Sequence, residues 1–245
     1  MALAFRSVKQ SIHLTGGGPG AMLALRRHFK SALAGIDAKH APVVAYVGVA
    51  SNDNAGFFAM IRAAVSVGTK ARLKMAKLAS PRASASDARA LLESCDLVFV
   101  SGGDVDHGMK ILNEKNMAKP LRTLAAQGKP MFGISAGSIM LARDWVRFPE
   151  GNEAKPELFP CLGIAPLHAD AHAEADDWGE LRVLVDLVRR RGDAEPLGFG
   201  LTRKGGVHVE IDGTGIRVNA IGTPIPRIGV RRGKVTDLAP LALTR

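Results

Sequence analysis

Ser135 stands between Gly133 and Gly137, where the apolar segment Lys129-Pro130-Met131-Phe132 gives way to the helix-compatible run Ser138-Ile139-Met140-Leu141-Ala142-Arg143. A small hydroxyl at a strand-to-helix turn, flanked by glycines that let helix and strand pack closely, is the pattern of a nucleophile elbow. The amide after such a serine points toward a developing oxyanion. A hydroxyl becomes a nucleophile only when a base removes its proton and an acid orients that base. Downstream of Ser135 lie His168, His172 and His208, and Asp144, Glu150, Glu153, Glu157 and Asp170 fall between the serine and His172. Several triads are therefore open on residue types alone.

Four segments narrow the choice. Ser11 to Gly18 reads as a strand ending in a glycine turn, and Cys95 to Asp104 as a strand ending in Gly102-Gly103. Gly133 to Ser138 holds the serine, and Leu158 to Ile164 leads into Asp170-Ala171-His172. Together they resemble the serine peptidases typified by alpha-aspartyl dipeptidase (dipeptidase E) and cyanophycinase, whose fold is like that of class I glutamine amidotransferases. The resemblance implies Ser135 as nucleophile, His172 as general base, Glu150 as orienting acid, with Asp144 and Glu153 as substitutes, and the Gly103 and Ala136 amides as oxyanion hole. The chain departs from the family pattern twice, and the second departure bears on substrate. Ala173 replaces the phenylalanine that usually follows the histidine, and Asp104-Val105-Asp106-His107 replaces the usual Asn-Thr, leaving the pocket edge more acidic. Gly179-Glu180-Leu181-Arg182 resembles the dipeptidase stretch whose arginine meets an aspartyl carboxylate, so Arg182 and Asp104 are the expected substrate-binding residues.

The elements that must position these groups follow from periodicity. Short apolar or β-branched runs predict strands at Ser11 to Leu14, Pro42 to Val49, Ala71 to Leu78, Leu97 to Val100 and Pro130 to Ile134. Helical spacing marks Ala21 to Ala34, Phe57 to Val67 and Ser86 to Glu93, with Ser86 as cap. Alternating strand and helix predicts an α/β fold of three layers, a mostly parallel sheet with helices on both faces and functional loops at the carboxyl ends of the strands. Val207 to Ile211 and Arg217 to Ala220 alternate as short antiparallel strands near the C-terminus. The 245 residues are expected to form one domain.

Composition limits the partners. The net charge of +10 is spread from Arg6 to Arg245, and 5% aromatics leave little to stack on bases, so no nucleic-acid partner is expected. No run reaches the roughly 18 apolar residues of a membrane span, and two cysteines make no disulfide framework, so a soluble cytoplasmic protein is expected. Gly16, Gly18 and Ala21 satisfy a loose dinucleotide fingerprint, but the second strand ends without the ribose-binding acid, so the glycines read as a turn approaching the site. No cofactor and no metal are expected. The partner is a small peptide substrate, with pairing into a homodimer left open.

The expected activity is hydrolysis of short peptides, with an N-terminal aspartyl residue if Arg182 reaches the pocket. Three other readings stay open. One is a cyanophycinase-like hydrolase of β-aspartyl-arginine, if Asp104 and Asp106 meet a basic side chain. Another is a non-catalytic binding protein on the same fold. The third is a metal-dependent hydrolase, since alternation along His168-Ala169-Asp170-Ala171-His172-Ala173-Glu174 would put two histidines and two carboxylates on one strand face. An esterase of the α/β-hydrolase type fits less well, because about 70 residues follow His172 where such enzymes carry the histidine near the chain end.

Overall fold

The computed structural model describes residues 8–36, 40–67, 69–149 and 155–243. All five strands expected in the first half form: β1 (Gln10–Thr15), β2 (Val43–Val47), β3 (Arg72–Met75), β4 (Leu97–Val100) and β5 (Met131–Ile134). They pair in parallel in the order β1-β5-β4-β2-β3. Every residue of β4 and β5 is buried, as continuous apolar strands covered on both faces must be. Beyond β1 the sheet continues antiparallel through β10 (Gly206–Asp212) and β11 (Gly215–Ile221), the alternating segments of the C-terminal third.

Strand alternation divides the core. Tyr46, Phe99 and Phe132 point to one face, where they pack with Leu25 and Phe29 of α1 (Met22–Ala34) and Ile61 of α2 (Ala55–Ser66). Val98, Val100 and Met131 point to the other, beneath α3 (Ala85–Ser94), α4 (Val105–Glu114), α5 (Ala118–Ala126) and α6 (Ala136–Leu141). The cap of α3 is Ser84, whose hydroxyl accepts from the Asp87 amide, and not the expected Ser86, which bonds instead to the Ser84 hydroxyl at 2.8 Å. Both serines carry the right chemistry, and the difference is one of register.

A second sheet was not legible in the sequence pattern. β8 (His168–Ala171) pairs in parallel with β9 (Leu197–Leu201), which continues antiparallel into β12 (Ile225–Arg231) and β13 (Lys234–Leu241). Helix α7 (Gly179–Arg191) covers it through Leu181, Leu184, Val185 and Val188, packed with Ile228 and with Val146 of the hairpin β6 (Asp144–Arg147) and β7 (Glu157–Pro160). Phe199, Leu201 and Ile225 of this sheet share one apolar cluster with Ile12 and Leu14 of β1, so the two sheets meet in a common core. Among the described residues, no helix is long and apolar enough to cross a membrane.

Candidate active site

Ser135 occupies the turn between β5 and α6 with φ 53° and ψ −128°, a conformation costly for any side-chain-bearing residue. The surroundings enforce it. Its amide donates to the Thr15 carbonyl at 2.9 Å, continuing the β1–β5 ladder into the turn. A Cβ on Gly133 would lie 2.7 Å from the Ser138 Cα, and one on Gly137 would lie 2.1 Å from the Val100 carbonyl oxygen, so only glycines let α6 sit this close to β4 and β5. Ser138, fully buried, locks the turn from the other side: its hydroxyl accepts from the Thr15 amide at 2.9 Å and donates to the Thr15 carbonyl at 2.9 Å. The Thr15 hydroxyl in turn donates to the Gly133 carbonyl at 3.0 Å.

His172 comes from the end of β8, where φ 48° breaks the strand and swings its side chain out of the alternation. The Nε2 atom lies 2.8 Å from the Ser135 Oγ, hydrogen-bond distance across 37 residues of sequence. The His172 amide donates to the Leu201 carbonyl at 2.8 Å, which anchors the turned residue to β9. Gly18, φ 93°, runs beside the imidazole: a Cβ there would lie 3.5 Å from the ring. The glycine turn after β1 thus packs against the histidine, as a turn approaching the site should.

The metal surface of the alternative reading does not form. His172 leaves the strand face, and His168 faces away to Asp144, its Nε2 3.1 Å from the carboxylate. Among the described residues, no three His, Cys, Asp or Glu side chains converge as a metal would require.

Of the acids, Glu150 and Glu153 lie outside the described residues. Asp144 is committed elsewhere. Burial pushes its carboxyl up, but hydrogen bonds from His168 and from Arg191, whose Nη1 is 3.0 Å away, outweigh that and hold it below its ordinary range. Asp170, two residues before His172, is a buried carboxyl that shares a cleft with the imidazole. It is 7% exposed, its Oδ1 accepts from the Ala171 amide at 2.7 Å, and its Oδ2 has no hydrogen-bond partner. Burial pushes its pKa up to about 7; the Ala171 amide opposes the rise, and the charges of Glu180 and Asp176 add to it.

Ala136 is the first residue of α6, so its amide belongs to the set that has no acceptor within the helix. Gly103 follows β4 with φ 142°, and a Cβ on it would strike the Ala50 carbonyl at 2.0 Å. Two hollows meet at Ser135 and Gly103. One, about 280 Å³, also holds His172, Ala136, Asp170, Asp176 and Glu180. The other, about 540 Å³, runs between α1 and α2 and is mostly apolar.

The two residues expected to bind substrate have other partners in the fold. Asp104 lines neither hollow; its Oδ1 accepts from the His107 amide at 2.7 Å and so caps α4. Neighbouring Asp106 faces Arg147 at 3.5 Å. Arg182 points away, its guanidinium bonded to the Asp177 carbonyl and paired with the Asp177 and Asp237 carboxylates at 3.1 and 2.8 Å. Position on α7 decides this: Leu181, Leu184 and Val185 take the inward face, and Arg182 falls outside it. Thr15, Ser138 and the apolar hollow were not found by sequence reasoning, whereas Asp170 was among the candidate acids. Ser138 carried a signal in retrospect, a second serine one turn after Ser135.

A hydroxyl on a strained strand-to-helix turn at the carboxyl edge of a parallel sheet, with an imidazole at 2.8 Å, defines the class of serine-dependent hydrolases. Residues 12–214 match peptidase family S51, and the chain belongs to that family, a family of serine-type peptidases. A peptidase from an acI-B1 Actinobacterium superposes with a TM-score of 0.67 at 16% identity, covering 98% of this chain and all of that one. A Peptidase E protein from Listeria monocytogenes EGD-e gives 0.60 at 14%, covering 87% and 100%. At those identities the likeness is one of fold. Pyridoxal 5'-phosphate synthase subunit PdxT from Bacillus thuringiensis (strain Al Hakam) is 36% identical over 61 residues, 25% of this chain. The match spans about a third (31%) of that relative's length.

Proposed function

We propose that this peptidase cleaves short peptides through an acyl-enzyme on Ser135. The observation that carries the reading is the 2.8 Å approach of Ser135 Oγ and His172 Nε2. In this mechanism Oγ attacks the peptide carbonyl as its proton passes to Nε2, and the carbonyl oxygen becomes an oxyanion facing the Gly103 and Ala136 amides. The C–N bond breaks as the imidazolium returns the proton to the leaving amine. A water then attacks the acyl-enzyme with His172 again taking the proton, the C–Oγ bond breaks as the imidazolium returns that proton to Oγ, and the acid product departs. Each oxyanion donor in such sites lowers the barrier by about 3 kcal/mol. Glu150 is the proposed orienting acid, from its place in the resemblance.

An N-terminal aspartyl substrate would need a cation beside Ser135, and Arg182 is engaged with Asp177 and Asp237 instead. The second reading, a basic leaving group as in β-aspartyl-arginine, has a specific observation in its favour. Asp170, Asp176 and Glu180 line the cleft on the His172 side, and three carboxyls there suit a guanidinium or ammonium. Labelling folded protein with a fluorophosphonate, followed by peptide mapping, tests the nucleophile: an adduct on Ser135 that is lost in His172→Ala is expected. A Ser135→Ala variant that still hydrolyses peptides would end the proposal.

A further inference from the structure

We infer that the apolar hollow between α1 and α2 is the acyl-side subsite, and that it selects peptides whose scissile carbonyl belongs to a large apolar residue such as Leu, Met or Phe. The inference rests on Ser135 as the nucleophile. Its first support is position: Ser135, Ile134, Gly102 and Gly103 form one wall of the hollow, so a residue acylating Oγ has that space directly beside its Cα.

The second support is handedness. A leaving nitrogen must reach His172 Nε2 to take its proton, so the leaving half of the substrate lies on the histidine side. His172 lines the smaller, acidic cleft and not the apolar hollow. The acyl half therefore falls on the other side of Oγ, in the hollow.

The third is the lining. Met22, Leu25, Phe57, Met60, Ile61 and Ile134 supply most of the surface. Besides Ser135, two polar side chains line it: the Ser51 hydroxyl donates to the Gly48 carbonyl at 3.1 Å, and the Asn54 Oδ1 accepts from the Phe57 amide at 2.8 Å to cap α2. The lining includes no charged side chain. An aspartyl carboxylate placed there would lose its water and meet no cation, whereas an apolar side chain would cover Met60, now 46% exposed, together with half-buried Met22 and Phe57. A volume of about 540 Å³ is ample for one such side chain and within the usual size of a ligand site.

The test pairs turnover with binding. Initial rates on Leu-, Met-, Phe-, Asp- and Glu-initiated peptides sharing one leaving residue should give kcat/KM at least about 100-fold higher for the apolar set, the scale of discrimination that differences in apolar burial give a pocket. Isothermal titration of Ser135→Ala with the same peptides should show the same order in Kd. Met60→Arg, at a position exposed enough to accept the change, should bring the acidic peptides up by roughly 10-fold and the apolar ones down. Asp- or Glu-initiated peptides cleaved and bound as well as Leu or Phe overturn the subsite. No turnover by wild type, with apolar peptides still preferred in the titration, would overturn the acyl-enzyme mechanism and leave the subsite standing. A titration showing no preference sinks the subsite whatever the turnover.

Discussion

Replacing Asp170 by Asn removes the charge of the buried carboxyl that shares the cleft with His172. In the folded chain this group ionises near 7, against an ordinary value of 3.8, because burial and the neighbouring Glu180 and Asp176 disfavour the anion. A carboxyl raised on folding contributes stability that is fully present below 3.8 and is lost as pH rises through about 7. Once the group is fully ionised, that difference is worth roughly 4 kcal/mol at most, and relaxation of the cleft brings it toward about 2 kcal/mol. Asn keeps an oxygen for the Ala171 amide and never ionises. The advantage of Asp170→Asn over wild type should therefore widen by roughly 2–3 kcal/mol between about pH 4.5 and about pH 8.5. Urea unfolding of both proteins across that range reads the gap directly. A gap that stays constant with pH would show that Asp170 ionises at its ordinary value, and that its burial is not what the structure indicates.

Ser135→Gly should raise stability by about 1 kcal/mol, since glycine adopts the φ 53°, ψ −128° turn with little strain, while fluorophosphonate labelling disappears; a variant less stable than wild type would show that the turn is not strained. Ser138→Ala leaves the buried Thr15 amide without its acceptor, while the Thr15 carbonyl keeps the Ser135 amide, and should cost about 1–3 kcal/mol in urea unfolding. A loss below about 0.5 kcal/mol would mean that the Thr15 bonds are dispensable. Arg182→Ala should change kcat/KM less than about 2-fold on any peptide, because its partners are exposed carboxylates and it lines neither hollow at Ser135. Selective loss of Asp-initiated substrates in that variant would restore the arginine to the pocket.

The parts of the fold that the sequence made legible are those with a local cause. β4 and β5 are short runs of buried apolar residues, and Gly133 and Gly137 mark the elbow because close packing admits nothing larger. The β9–β12–β13 sheet was not seen, since Leu197-Gly198-Phe199-Gly200-Leu201 and Ile225-Pro226-Arg227 carry glycine and proline that read as loop until tertiary packing decides. At the site, Ser135 and His172 meet as expected. Arg182 and Asp104 went elsewhere because a short motif says nothing of which way a helix residue faces or which carboxylate a helix end will use as its cap. The apolar hollow is assembled from α1, α2 and two strand ends, so no single stretch of sequence announces it.

The brace between Thr15 and Ser138 joins residues 123 apart in the chain, and the His172 amide is held by the carbonyl of Leu201, later still. Both attachments close only after most of the polypeptide exists, and such long-range closures come slowly. A chain that stops short of Leu201 lacks the carbonyl that anchors His172, so the pairing of Ser135 with His172 depends on contacts that most of the polypeptide must supply.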